Sequence, residues 1–333
     1  MTRKHAPQGT LWTGWVTAAL CAITSTQALG AEAPVTGYPT KPIRMIVPFA
    51  PGGGTDLIAR ITAQKLTEAW GQQVMVDNRP GAGGIVGTET GVRAAPDGYT
   101  YTLMGSSYTV NPSFYKLTFD PSDDITAIAQ ISQGPFVVVL YPGLAAKSMK
   151  ELIALAKAKP GQLSYSTSGA GSITHLSTEL FLGMAGIKMV HVPYKGTGPA
   201  LIDTIAGQVA MLFGDAPPTL LHVKAGKLRG IAVTTKDRIA AEPDIPTVHE
   251  AGVPGYEVLL WQGLIGPKGV PRAIVDQVNR EITRAFNTKE MVDRFSADGI
   301  SPARATPEQF AARIRNETQV WRKVVQQTGI KLE

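Results

Sequence analysis

The amino-acid sequence predicts an α/β protein with two lobes and a ligand cleft between them. From Tyr38 onward, short runs of β-forming residues alternate with segments whose apolar residues recur at helical spacing. Such alternation is typical of a mostly parallel sheet with helices on both faces. Beyond residues 261–267 helical patterns dominate, which favours a return of the chain from a second lobe to the first. Loops at the carboxyl ends of the strands would then converge in the cleft.

Residues 1–31 have the features of a secretory signal peptide. Arg3, Lys4 and His5 form a basic start, an apolar run covers 11–23, and small residues at 28, 30 and 31 suit cleavage. An uncleaved membrane anchor is the alternative, but the run is short and contains threonines. Lipid attachment at Cys21 would require a small residue where Leu20 stands. We therefore expect an exported protein from which residues 1–31 are removed.

The composition of the remaining chain excludes some classes of partner. Cys21 is the only cysteine, so the exported chain must be stabilised by its own core without disulfides. Cleavage would remove Arg3 and Lys4 and lower the formal net charge from +6 to +4. Because basic and acidic residues are interspersed, nucleic-acid binding is not expected. The mild positive charge would help to attract small anions.

The predicted elements follow one another in a regular order along the chain. Strands are predicted at 43–48, 73–76, 100–104, 136–141, 163–166, 189–192, 210–213 and 229–234. Helices are predicted at 57–66, 148–157, 173–184, 199–205, 217–224, 271–286, 289–297 and 307–327. We place the crossings between lobes near 138–142 and 257–263. Lobe 1 would then comprise residues 38–138 and 262–333, and lobe 2 residues 139–261.

The most informative segment is the loop 48–56, Pro-Phe-Ala-Pro-Gly-Gly-Gly-Thr-Asp, between a predicted strand and a predicted helix. Its glycines let the backbone approach a ligand closely. The first amides of the following helix lack internal partners and carry partial positive charge, which suits a carboxylate or phosphate. A nucleoside triphosphate is not expected, because the Gly-Lys-Ser/Thr ending of a P-loop is missing. The alternative is a structural turn capped by Thr55 or Asp56.

A second loop of this kind lies at 164–172, Ser-Tyr-Ser-Thr-Ser-Gly-Ala-Gly-Ser, in the other predicted lobe. Its hydroxyls and backbone amides precede a helix and can hold a carboxylate without a buried cation. Ser106 and Ser107, which follow the strand at 100–104, either add hydroxyl donors or form an ordinary polar turn. Because two such loops lie in opposite predicted lobes, we favour the interpretation that they form the two sides of one small-anion site. The alternative is that each loop only caps its own helix.

Three further residues near the predicted cleft have alternative roles. Asp215 follows the strand at 210–213 and either accepts a hydrogen bond from a ligand amine or hydroxyl, or caps the helix that begins near Pro217. Lys195 either contacts an anion or is solvated, and the solvated role is favoured. Trp261 lies near the second crossing, where core packing is favoured over ligand contact.

The sequence lacks the features of an enzyme or a cofactor site. The histidines of the exported chain, at 175, 191, 222 and 249, lack helix-face metal spacing. There is no Gly-x-Ser-x-Gly elbow. The glycine-rich run 81–87 follows Pro80 and is not followed by the acidic residue that a dinucleotide ribose requires. We therefore expect no cofactor, no metal and no catalysis, and a secreted α/β hydrolase is the enzymatic alternative.

The loop 48–56 with Ala59-Arg60 is the first of an ordered series of motifs. The others are Val-Asp-Asn-Arg-Pro-Gly-Ala-Gly-Gly at 76–84, Pro-Asp-Gly-Tyr-Thr at 96–100, Gly-Ala-Gly-Ser at 169–172 with His175-Leu176, Val-Pro-Tyr-Lys-Gly at 192–196, Pro-Thr at 246–247 with Glu250, and Trp261. This series runs from about Tyr38 to the C-terminus and resembles the periplasmic receptors of tripartite tricarboxylate transporters, the Bug family. A single motif would be weak evidence for this resemblance, but the ordered series of motifs is specific to the family.

The resemblance implies a two-lobed periplasmic binding protein of the Venus-flytrap, type II-like fold. Such a receptor closes on a small carboxylate, which in the family is a di- or tricarboxylate, an acidic amino acid or an aromatic acid. The residues implied for one side of the site are Phe49 as an apolar wall and Gly53, Gly54, Thr55 and Asp56 around one carboxylate. The residues implied for the other side are Ser106, Ser107, Ser168, Gly171 and Ser172. Asp215 lies in a segment where this chain is less typical of the family. An acid at this position favours a ligand that carries an amine or hydroxyl.

The resemblance also implies partners and a location. The partners are a small-molecule carboxylate and the membrane subunits of a transporter, the receptor is a monomer, and the location is the periplasm. A receptor that passes ligand occupancy to a membrane sensor kinase is the alternative, because transport and sensing use the same closing of two lobes.

Overall fold

The structure is a computed structural model that describes residues 37–331 of the chain. The predicted signal peptide, residues 1–31, lies outside the described residues. Between 37 and 331, no helix combines the length and the apolar character that crossing a membrane requires.

Strands and helices alternate over most of the described chain. The strands are β1 (Ile43–Val47), β2 (Val74–Asn78), β3 (Thr100–Gly105), β4 (Ile125–Gly134), β5 (Phe136–Leu140), β6 (Ser164–Thr167), β7 (Val190–Pro193), β8 (Met211–Asp215), β9 (Arg229–Val233), β10 (Leu260–Pro267) and β11 (Ser301–Pro302). The helices are α1 (Gly54–Trp70), α2 (Ile85–Val92), α3 (Ser107–Val110), α4 (Met149–Ala158), α5 (Ile173–Ala185), α6 (Thr197–Ile205), α7 (Ala216–Lys224), α8 (Arg272–Phe286), α9 (Lys289–Ala297) and α10 (Pro307–Thr328). Each predicted strand and helix is confirmed, whereas β4, β10, β11, α2 and α3 were not predicted.

The strands form two sheets of mixed direction. One sheet has the order β11-β4-β10-β3-β1-β2 and the other has the order β7-β6-β8-β5-β9. β1 runs parallel to β2 and β3, and β6 runs parallel to β7 and β8. β4, β5 and β10 are antiparallel to their neighbours, so the expectation of mostly parallel sheets is wrong. These antiparallel strands stand next to the two points where the chain passes between the sheets.

The chain first passes between the sheets directly after β4, because β5 begins two residues later in the other sheet. It returns between β9 and β10. Both sheets therefore combine distant parts of the sequence. The assignment of residues 38–138 and 262–333 to one lobe and 139–261 to the other stays a prediction.

Each sheet is covered by helices that bury its side chains in hydrophobic cores. The side chains of Ile43, Met45 and Val47 in β1 belong to a core that includes residues of α1 and α8. All five residues of β5 are buried, and alternate residues belong to different cores. Because side chains alternate between the faces of a strand, this pattern places β5 between helices on both faces of its sheet. Loops that follow strands of both sheets line one cavity.

Candidate functional site

The candidate site lies where loops from both sheets meet, at the carboxyl ends of β1, β3, β6 and β8. The cavity that they enclose has a volume of about 20 Å³, which suffices for one water molecule. A solute with several heavy atoms can enter only if the sheets separate, so the described conformation is closed. The residues that line the cavity are Phe49, Gly53, Thr55, Asp56, Gly105, Ser107, Ser168, Ile173, Thr174, Thr197, Asp215 and Leu260.

Most of the predicted site residues are brought together here. Those that line the cavity are Phe49, Gly53, Thr55, Asp56, Ser107, Ser168 and Asp215. The others, Gly54, Ser106, Gly171 and Ser172, lie in the same loops and make contacts that support the walls. Their contact with a ligand stays a prediction.

The loop between β1 and α1 is held by Asp56, in the first turn of α1. Its carboxylate accepts hydrogen bonds from the Gly52 amide (3.1 Å), the Arg60 guanidinium (3.0 Å) and the Asn78 side-chain amide (2.9 Å). Burial acts to raise the pKa of Asp56, but these bonds together outweigh burial and hold the pKa below its usual value. Asp56 thus fixes the shape of the glycine loop.

Phe49 forms an apolar part of the cavity wall, and its side chain is buried against Gly84. A Cβ on Gly84 would lie 2.9 Å from Cζ of the Phe49 ring. Gly84 also has a φ of +103°, a value that residues with side chains rarely adopt. The glycine-rich run 81–87 therefore packs against the wall of the site.

The two long helices that begin at the cavity are each capped by a side chain from the opposite sheet. The first amide of α1, on Gly54, donates to Oδ2 of Asp215 at 2.7 Å. The first amide of α5, on Ile173, donates to Oγ of Ser107 at 3.1 Å. Gly53 has no side chain with which to cap α1 itself. Both helix N-termini, which carry partial positive charge, thus have partners across the closed cleft.

Asp215 does not cap the helix that it precedes. A capping side chain normally accepts from the second or third helical residue, and in α7 these are Pro217 and Pro218, which have no N–H. The Asp215 carboxylate accepts instead from the Gly54 amide and the Thr197 hydroxyl. Burial raises the pKa of Asp215, although both bonds favour the ionised form. The alternative role as a helix cap is therefore wrong.

The loop before α5 presents a chain of hydroxyl groups. Oγ1 of Thr174 lies 2.9 Å from Oγ of both Ser168 and Ser172 and accepts from the Ser168 amide at 2.8 Å. Ser172 is the N-cap residue of α5 and accepts from the His175 amide at 3.3 Å. None of the residues that line the cavity is a lysine, arginine or histidine. The polar donors of this wall are therefore neutral.

Two stacked histidines that do not line the cavity bind the loop before α5. The rings of His175 and His191 are nearly parallel, with centroids 4.0 Å apart. Nδ1 of His175 accepts from the Gly171 amide at 3.2 Å, and Nε2 of His191 lies 2.7 Å from the Thr167 hydroxyl. Burial lowers the pKa of His175 to about 3, aided by His191, and burial lowers the pKa of His191 to about 4. Both rings are thus neutral in the folded protein near neutral pH.

We expect stability to fall as the pH is lowered from about 6.5 towards 4. Histidines of the unfolded chain take up protons in this range, whereas the folded pair does not. The unfolded state is therefore stabilised relative to the folded state as the pH falls. The measurement is urea unfolding between pH 7.5 and 4.5, roughly the range in which histidine charge changes. A variant with His175→Asn and His191→Gln, which keeps comparable polar atoms without the titration, should show a flatter profile. An unchanged profile would contradict the role of this pair.

Thr197 and Thr174 are site residues that the sequence analysis missed. Both line the cavity, and Thr197 is buried in the segment Lys195-Gly196-Thr197, in which only the charged residue was considered a candidate. Lys195 itself is exposed, as the favoured alternative predicts. The signal that could have identified Thr197 is its position beside two glycines at the start of a helix. Gly198 beside it lies against the loop that contains Pro51 and Gly52.

Trp261 packs in the core, which confirms the favoured interpretation. Its side chain is fully buried and its ring meets Phe310 edge-on, with centroids 5.3 Å apart. Its indole N–H donates to the Glu317 carboxylate on α10, and its backbone N–H donates to Oγ of Ser106 at 3.0 Å. Trp261 and Ser106 together therefore hold the loop after β3 in place beside the cavity.

Comparison with known proteins gives the same architecture. The TctC family model, described as "Tripartite tricarboxylate transporter family receptor", matches residues 58–330. Protein BugT of Bordetella pertussis is 40% identical over 312 residues, which cover 91% of this chain and 95% of BugT.

Two solved structures with bound solutes are similar in sequence and fold. R. palustris Rpa4515 with adipate is 32% identical with a TM-score of 0.85, and the match covers 88% of this chain and 99% of that one. MatC from Rhodopseudomonas palustris with bound malate is 29% identical with a TM-score of 0.82, over 86% of this chain and 100% of that one. The predicted periplasmic binding protein fold is thus confirmed. The chain belongs to the receptor family of the tripartite tricarboxylate transporters.

Proposed function

We propose that this protein is an extracytoplasmic solute receptor that captures a small carboxylate between two lobes for uptake by a membrane transporter. The observation that carries the proposal is the convergence of the N-termini of α1 and α5 on one enclosed cavity. Helix N-termini favour negative charge, and two of them on opposite sides suit an anion that is held from both ends. Relatives with adipate and malate in their structures support the same role.

The proposed contacts come from both sides of the cleft. Backbone amides at Gly53 and Thr55 serve one carboxylate, beside the Gly54 amide that already donates to Asp215, and Phe49 covers the carbon chain. The hydroxyls proposed for the other end belong to Ser107, Ser168, Thr174 and Thr197. Neutral donors can bind an anion and still release it when the lobes separate, whereas a buried lysine or arginine would make release costlier.

We infer a cycle in which an open form takes up solute and closes on it. The moving units are residues 38–138 with 262–333, and residues 139–261, and the two passages of the chain between the sheets serve as the hinge. No chemical step is involved. The receptor acts as a monomer in the periplasm after removal of residues 1–31, and it hands its solute to the transporter subunits.

A thermal-shift screen of the exported chain tests the proposal. The panel comprises dicarboxylates, citrate, acidic amino acids and aromatic acids, each at several concentrations. A solute present at a hundred times its Kd should stabilise the folded protein by about 2.7 kcal/mol. We expect such a shift for one chemical class of carboxylate. A flat response on folded protein free of co-purified solute would contradict the proposal, and amines or neutral sugars of similar size serve as controls.

A further inference from the structure

Asp215 is a buried carboxylate in the cavity wall without a cation to neutralise it. The residue is 5% exposed, and no lysine, arginine or histidine of the segment 37–331 forms an ion pair with it. Asp56, the other acid of the cavity wall, is paired with Arg60 at 3.0 Å. Asp215 is therefore the acid of the cavity wall that no cation of the described residues pairs with.

The position of Asp215 is closely fitted to the opposite loop. A Cβ on Gly54 would lie 2.6 Å from Cβ and 2.9 Å from Oδ2 of Asp215. The short approach lets the carboxylate accept from the first amide of α1, where a bound anion would otherwise be favoured. An acidic side chain thus already occupies the α1 end of the cavity, while the α5 end has neutral Ser107 as the partner of its first amide.

This asymmetry has a consequence for the solute. A second carboxylate placed against Asp215 would bring two like charges together away from water, which is unfavourable. A hydroxyl or ammonium group in the same place would donate a hydrogen bond to a charged acceptor, one of the stronger kinds in proteins. One carboxylate of the solute would then lie against the hydroxyls of Ser107, Ser168 and Thr174, and the other against the amides of the loop before α1, with the donor group between them facing Asp215.

We propose that Asp215 is a specificity-determining residue that selects carboxylates carrying a hydrogen-bond donor over plain carboxylates of the same length. The inference rests on the proposed function and refines the class of solute. The donor is a hydroxyl or an ammonium group beside the carbon chain. Asp203, a half-buried acid of α6 that accepts from the Tyr194 hydroxyl and does not line the cavity, offers a matched control.

The test is calorimetric titration with two series of acids that differ at one substituent. One series is succinate, malate and aspartate, and the other is glutarate, 2-hydroxyglutarate and glutamate. For the parent protein we expect roughly tenfold or more tighter binding of a hydroxy or amino acid than of the plain acid in at least one series. Comparison of the hydroxy and amino members shows which donor the site accepts.

Asp215→Asn should reduce this preference to about threefold or less, because the neutral amide neither repels a carboxylate nor pairs with an ammonium. Asp203→Asn should leave the preference unchanged. If Asp215→Asn does not fold, Asp215→Ser takes its place. The preference of the parent protein for substituted over plain acids also tests the proposal without any variant. Equal binding of plain and substituted acids by the parent would overturn the proposal, and so would an unchanged preference in Asp215→Asn. Binding of none of the six acids would also overturn the proposal for Asp215. The receptor function itself is tested separately by the thermal-shift panel, which contains further classes of carboxylate.

Discussion

Gly198→Ala is expected to weaken solute binding by roughly 10- to 100-fold, equivalent to about 1.4–2.8 kcal/mol. A Cβ on Gly198 would lie 2.2 Å from the carbonyl oxygen of Pro51 and 3.0 Å from the carbonyl carbon of Gly52. Both are backbone atoms of the loop that precedes α1, so they cannot move aside as the end of a flexible side chain can. The variant therefore cannot reach the closed arrangement without a shift of the backbone.

The same substitution should not destabilise the open protein. Gly198 lies in the first turn of α6, and it is not among the glycines of residues 37–331 with positive φ. Alanine is favoured over glycine within a helix by about 0.5–1 kcal/mol. We therefore expect solute-free stability in urea to be unchanged or slightly higher, while calorimetric binding of the solute found in the thermal-shift screen is largely lost.

Gly183→Ala is the matched control for this prediction. Gly183 is an exposed glycine within α5, and a Cβ there would meet nothing within 4 Å. Its replacement should give the same small gain in stability with no change in affinity. If Gly198→Ala binds solute as tightly as Gly183→Ala does, then the described closed arrangement is not the one that holds the solute.

Local patterns in the sequence were sufficient to predict the loops that surround the site. The glycines at 52–54 and the serine-rich loop 164–172 stand between a strand and a helix, and both loops reach the cavity. The apolar run of β5 was recognised because a strand buried on both faces is continuously apolar. β4 was not recognised, because its isoleucines recur at every third residue, without the alternation typical of a strand, and are separated by threonine, alanine and glutamine.

Contacts across the cleft could not be predicted from local patterns. The bond from Ile173 to Ser107 joins residues 66 positions apart, and the bond from Gly54 to Asp215 joins residues 161 positions apart. Such pairs depend on the packing of two sheets, which no spacing within one segment encodes. The exception is the Asp-Ala-Pro-Pro sequence at 215–218, where two prolines already exclude the local cap and indicate that the carboxylate bonds elsewhere.

Asp56→Asn is expected to lower the free energy of unfolding by about 2–3 kcal/mol. The Asp56 side chain is 5% exposed, whereas the Arg60 side chain is 54% exposed, so solvent screens part of the pair and the estimate lies below that for a fully buried ion pair. The loss arises because an amide cannot accept at once from the Gly52 amide, the Arg60 guanidinium and the Asn78 side chain. Solute affinity should fall as well, since the glycine loop loses the residue that fixes it. Urea unfolding and calorimetric binding of the same samples measure the two effects.

The difference in stability between the parent and Asp56→Asn should depend on pH in a defined direction. The pKa of Asp56 in the folded protein lies below its ordinary value of 3.8, so the unfolded state binds the proton first as the pH falls. The contribution of Asp56 is therefore complete at neutral pH and declines as the pH falls below about 4. Asp276→Asn removes the carboxylate of an exposed pair with Arg272 at the same helical spacing, and it should cost about 0.5 kcal/mol or less. If both variants lose equal stability at neutral pH, the bonds of Asp56 to Gly52 and Asn78 do not brace the loop, and the glycine loop must be held by the packing of Phe49 instead.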